Sequence, residues 1–245
     1  MCCWRLRIAS RLAAAIGLAG LLACFPGCKV AADGQNLEGV RLFQQGQYYP
    51  ALQQFQKAVA TNPTNADAYY NMAATLHRMG SQKGDQQALA QAETLYNQCL
   101  DLDENHADCR RGLAVLLVET GRPDRAFALL KNWATSSPNV SDARIELARL
   151  YEEFGDLETA KLHLNQAVMV DQNNHRAWAA LGRIRERTGD YQQALANYQR
   201  SWSLNSLQPA VAERIASLNR TILGGTGTTT ANDPRTVVTP GPYRR

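Results

Sequence analysis

A glycine followed by an alanine returns five times along this 245-residue chain. The glycines are Gly46, Gly80, Gly121, Gly155 and Gly189, and the alanines are Ala51, Ala92, Ala126, Ala160 and Ala194. Successive spacings are 34 residues, broken once by a spacing of 41. A fixed period of that length marks a stack of small units, each of which buries its apolar face on its neighbours. One globular core is not expected. Such stacks offer extended surfaces to partners, so the expectation is a protein that binds rather than one that catalyses.

Each unit reads as two amphipathic helices joined at the glycine. In the third, Leu113, Leu117 and Val118 recur at helical spacing before Gly121. The glycine suits the left-handed conformation that closes a helix. Pro123 suits the first turn of the next helix, where its missing N–H costs nothing. Ala126 and Leu130 then share one face, and the small Ala lets the two helix axes approach closely.

The pattern resembles the tetratricopeptide repeat. In the last unit Trp178, Leu181, Gly182, Gly189, Tyr191, Ala194 and Tyr198 stand at the signature positions of that family. The resemblance implies an all-α fold, an α-solenoid of five helix pairs with a C-terminal capping helix. The units are expected at 32–65, 66–106, 107–140, 141–174 and 175–208, the cap at 209–223 and a Gly/Thr/Pro-rich disordered tail at 224–245. Four units depart from the pattern, the fifth unit by Arg185 where an inner aromatic is usual. Glu38 stands where an inner Leu is usual, so the opening helix is poorly specified or shifted. Trp133 stands where a small residue is usual, so that corner must repack. Seven extra residues separate Gly80 from Ala92. Asp85 reads as an N-cap within them, opening a longer second helix that projects at one rim.

Upstream of the repeats, Arg5, Arg7 and Arg11 precede an apolar run from Leu12 to Cys24. This is the shape of a secretory signal, and it falls short of the roughly 20 residues that span a bilayer as a helix. Its end, Leu21-Leu22-Ala23-Cys24, resembles a bacterial lipobox. The match implies a signal peptide at 1–23, lipidation of Cys24 and a tether at 24–31. Alternatives are lipidation at Cys28, ordinary signal cleavage and an uncleaved anchor. A lipidated cysteine holds its protein on a membrane and leaves the rest in solution. The formal charge of +4 then loses its meaning. Without the leader arginines the count is 23 basic to 22 acidic side chains, so nucleic acid is not an expected partner.

Six cysteines do not make a disulfide framework once Cys2, Cys3 and Cys24 are set aside. Cys99 and Cys109 lie ten residues apart across a helix corner, where two packed thiols are expected and a disulfide is the alternative. No phosphate loop, His-Glu-x-x-His pair or Gly-x-Ser-x-Gly elbow occurs. Cys99, His106 and Cys109 lack a clear fourth ligand for zinc. No cofactor, metal or catalytic residue is expected.

The family resemblance implies that first helices line a concave groove holding a partner segment. Its face would offer Tyr70, His77, Arg78, Arg111, Arg149 and Arg183, with Ile145 and Glu152 among them. Arginine grips carboxylates with two parallel bonds and stacks on aromatic rings. The chaperone-type carboxylate clamp is not carried over, because Val40, Asp108 and Gly112 occupy three of its positions. The expected function is a protein-interaction scaffold, lipid-anchored in a bacterial cell envelope, facing the periplasm from the outer membrane if the cell is Gram-negative. It would serve a pilus, secretion or cell-wall assembly. Self-association, or recruitment of a cell-wall enzyme, is the alternative.

Overall fold

The computed structural model describes residues 26–225, and all regular structure among them is helical. Five antiparallel pairs follow one another: α1 (Pro26–Gln44) with α2 (Tyr48–Thr61), α3 (Ala66–Lys83) with α4 (Gln86–Leu102), α5 (Ala107–Glu119) with α6 (Pro123–Ser136), α7 (Ser141–Glu153) with α8 (Leu157–Val170), and α9 (His175–Arg187) with α10 (Tyr191–Leu204). A final helix, α11 (Pro209–Gly225), packs on α10 through Val211, Ile215 and Leu218. The first helices touch in sequence, α1 on α3, α3 on α5, α5 on α7 and α7 on α9. They form one layer of the α-solenoid, and the second helices form the other.

One turn joins every pair. Gly46, Gly84, Gly121, Gly155 and Gly189 all have φ between 68° and 84°. The residue after each glycine donates its N–H to the carbonyl five residues back, as Arg122 does to Leu117 at 2.8 Å. This satisfies carbonyls that the end of a helix leaves without partners. All five alanines of the beat are fully buried.

The second pair corrects the sequence reading. The turn glycine is Gly84, and Gly80 lies buried inside α3, where an added Cβ would sit 3.0 Å from Leu89. Asp85 does cap α4, accepting from the N–H groups of Gln87 and Ala88. The seven extra residues are nevertheless shared between both helices, four before the turn and three after it. Each arm gains about one turn of 3.6 residues, which keeps both apolar faces in register. The hairpin as a whole is longer, not the second helix alone.

Residues 26–31, expected as part of a tether, are the opening turns of α1. Pro26 fits a first turn, and nothing between it and Gln44 ends the helix. Glu38 sits outside and pairs with Arg41, while Gly39 and Leu42 pack toward α2. Gly39 is needed there, since a Cβ would meet the Phe55 ring at 2.4 Å. Trp133 is fully buried at its corner, donates its indole N–H to Asn105 at 2.9 Å and carries the Arg110 guanidinium over its ring. Cys99 on α4 and Cys109 on α5 form a disulfide with their Cα atoms 6.6 Å apart, against the expectation of two packed thiols. The short α4–α5 corner brings the two positions within bonding range. Cys24, the leader and the tail from residue 226 lie outside the described residues, as does the side chain of Cys28.

Candidate protein-binding groove

Arg111, Arg149 and Arg183 stand on α5, α7 and α9, one on each of three adjacent first helices. Among them lies Glu146, which is only 1% exposed. Burying a carboxylate is costly unless cations and hydrogen bonds surround it. Glu146 receives Arg176 Nη2 at 2.6 Å, Arg149 Nε at 3.3 Å and Arg111 Nη1 at 3.4 Å. Arg176 also reaches Asp142 at 2.9 Å, and Arg111 pairs with Asp108. Three successive repeats are thus tied through one buried side chain.

Beside it Glu152 takes Arg183 at 2.8 Å and Arg187 at 2.8 Å. Burial works against the charge of Glu152, but the bonds and charges of Arg183 and Arg187 outweigh it and hold its pKa below the usual carboxylate range. Arg111, Arg149, Arg176 and Arg183 line an open cavity of about 240 Å³, with Glu146 and Glu152 among its walls. Ile145, Leu164 and Ala180 supply its apolar floor, and Gln208 closes one end.

Nearer the N-terminus the same layer holds a second cavity of about 230 Å³, lined by Val40, Phe43, Phe55, Tyr70, Asn71 and Ala74. Tyr70 stands on its side toward Arg111. Burial raises the Tyr70 pKa and Asp108 adds to that, while the adjacent Arg111 works against both. The groove is therefore apolar at one end and arginine-rich at the other.

His77 and Arg78 belong to neither cavity. His77, expected on the groove surface, is buried between Tyr96, whose hydroxyl lies 3.3 Å from Nδ1, and Glu119, which is 3.0 Å from Nε2. It packs edge-on to the Tyr96 ring, and α3 runs on past it to Lys83. Ser81, in that last stretch, donates to the same Glu119 at 2.7 Å. Burial would raise the Glu119 pKa, but the Ser81 and His77 bonds outweigh it and lower it. Arg78 is exposed nearby. Ile145, also expected at the surface, is buried beneath the arginines.

The reading from sequence missed Glu146 and Arg176. The signal for Glu146 was present: it falls among Ala143, Leu147 and Leu150, all buried at helical spacing. An acid on such a face requires a cationic neighbour. Arg176 carried no comparable signal, since its partners lie 30 and 34 residues away. The donor atoms of Cys99, His106 and Cys109 lie within 4.8 Å of one another. They are already engaged: the sulfurs bond each other, His106 Nδ1 accepts from the Cys109 N–H, and Nε2 pairs with Asp67 at 3.0 Å.

Models of the TPR repeat match residues 39–80, and models of the tetratricopeptide repeat match 85–134, 117–184 and 175–206. The chain is built of tetratricopeptide repeats. Human protein O-mannosyl-transferase TMTC1 is 28% identical over 186 residues, which cover 74% of this chain and 20% of that protein. Mouse DnaJ homolog subfamily C member 3 is 24% identical over 195 residues, covering 71% of this chain and 38% of that protein. The chain therefore spans a fifth to about two fifths of the length of these two relatives. Among solved structures, a thermophilic TPR protein of Thermus thermophilus, TTC0263, superposes with a TM-score of 0.59 at 20% identity, over 77% of this chain and 99% of that one. Pseudomonas aeruginosa pilF gives 0.50 at 17% identity, over 81% and 95%. These likenesses show the tetratricopeptide-repeat fold, which is that of protein-interaction scaffolds.

Proposed function

We propose that this tetratricopeptide-repeat chain is a non-enzymatic scaffold that holds a segment of a partner protein along α1, α3, α5, α7 and α9. A lipid on Cys24 carries it on a bacterial envelope membrane, where it serves the assembly of an envelope complex such as a pilus, secretion or cell-wall machine. The supporting observation is the unbroken row of first helices with two open cavities in it. The membrane arm rests on Leu21-Leu22-Ala23-Cys24 alone. A tether would raise the local concentration of the groove near membrane partners, so modest affinity suffices. No helix among the described residues is long and apolar enough to cross a membrane.

The test is affinity capture of the tagged full chain from fractionated cells. Wild type should sediment with membranes and bring down partners that Ala74→Arg and Arg149→Gln lose. Cys24→Ala should leave the membrane fraction. Unchanged sedimentation of Cys24→Ala would remove the anchor from the proposal. Partner sets that neither groove variant alters would remove the groove.

A further inference from the structure

We infer that the arginine cluster at α5, α7 and α9 selects partners by acidic side chains within an extended segment, while the cavity at α1 and α3 takes an apolar side chain of the same segment. This rests on the groove reading above and specifies the chemistry of its occupant.

The charge balance of the cluster carries the inference. Arg111, Arg149, Arg176 and Arg183 line the cavity against two carboxylates, Glu146 and Glu152. Adding Asp108, Asp142 and Arg187, which pair with them from the margins, still leaves a surplus of one cation. The surplus is placed for use. Arg149 is about one-third exposed and donates only through Nε, so its two terminal nitrogens make no hydrogen bond among the described residues. A guanidinium offers donors in a planar fork that fits a carboxylate. Glu146 is the positioning residue: buried and shared, it holds Arg111, Arg149 and Arg176 in place before any ligand arrives. Prepositioned charges lose less freedom on binding than mobile ones.

From the cluster the row of first helices continues toward α3 and the apolar cavity, while Gln208 closes the other end, so amidation of the peptide is what tells a side-chain carboxylate from a chain end. A polyanion such as nucleic acid is a poor match for a surplus this small. The two cavities also set a spacing. They lie about two and a half helix-to-helix steps apart, or roughly 20–25 Å at 8–10 Å per step. An extended chain covers that in about six or seven residues.

The experiment uses fluorescence anisotropy of the full chain with labelled, C-terminally amidated Gly/Ser peptides. The parent peptide carries Phe-Leu and, about seven residues further on, Glu-Glu. Replacing Glu-Glu by Gln-Gln should weaken binding by about tenfold or more at low salt, and shortening the spacer to about three residues should do the same. Arg149→Gln and Arg183→Gln, shown to be folded by circular dichroism, should bind the Glu and Gln peptides alike. Equal affinity of the two peptides for wild type, with both lost in Ala74→Arg, would overturn the acidic selectivity and leave the groove standing. A free-acid Gln peptide as tight as the amidated Glu peptide would assign the cluster to chain ends and overturn it too. Failure of every peptide to bind would sink the groove itself.

Discussion

Gly112 shows how much one hydrogen atom in place of a side chain can decide. Its position on α5 faces Tyr96 so closely that a Cβ would sit 2.6 Å from the ring. Tyr96 is itself buried, and its hydroxyl meets His77. Gly112→Ala should therefore displace a ring that has nowhere to go and destabilise the fold by about 1–3 kcal/mol, typical of overpacking. A thermal melt against wild type checks this, and an unchanged midpoint would contradict the packing. Sequence reasoning assigned Gly112 no such role. The alanines of the beat were readable because a small residue repeated at a fixed period implies a repeated close contact. Gly112 stands outside that beat, so only the structure ties it to Tyr96. Glu146 lay between these cases: its position was legible, its three arginine partners were not.

The pair α3–α4 is where the element scale departs from the repeat. The seven extra residues lengthen both helices and not the second alone, because a hairpin grows by adding turns to each arm about a displaced glycine. Gly80 kept the beat in the sequence while Gly84 took the turn in three dimensions. Periodicity alone did not separate the two, since both are glycines about one helical turn apart. Deleting residues 81–87 restores the short step from Gly80 to the beat alanine that the other units share. The shortened protein should fold as a solenoid, with Gly80 now at positive φ, losing about 1 kcal/mol for the absent Asp85 cap. It would also lose the Ser81 bond to Glu119 and the Lys83 bond to Tyr49. Circular dichroism and melting measure both effects, and loss of helical signal would show that the extra turns are indispensable.

Across the whole molecule, order runs from neighbour to neighbour. Buried apolar residues fall into separate clusters along the stack, and the largest spans the second, third and fourth pairs. In such quasi-one-dimensional folds stability is close to a sum of unit and interface contributions. The Cys99–Cys109 bond is the one disulfide cross-link between repeats among the described residues, and its ten-residue separation predicts about 3 kcal/mol from loop closure. Reductant should lower the melting midpoint of the full chain and leave the midpoint of Cys109→Ala unchanged; equal response of both would show that the bond carries no stability. The same bond has a mechanical meaning. A repeat stack pulled from its ends lengthens as successive helices unravel, and this link withholds the segment between Cys99 and Cys109 from that extension. At 3.3–3.6 Å per extended residue, less the 6.6 Å between the two Cα atoms that the bond itself spans, it shortens the drawn-out chain by about 28 Å. The joint between the second and third repeats is thus a stop in an otherwise extensible rod, placed where the apolar end of the groove gives way to the arginines.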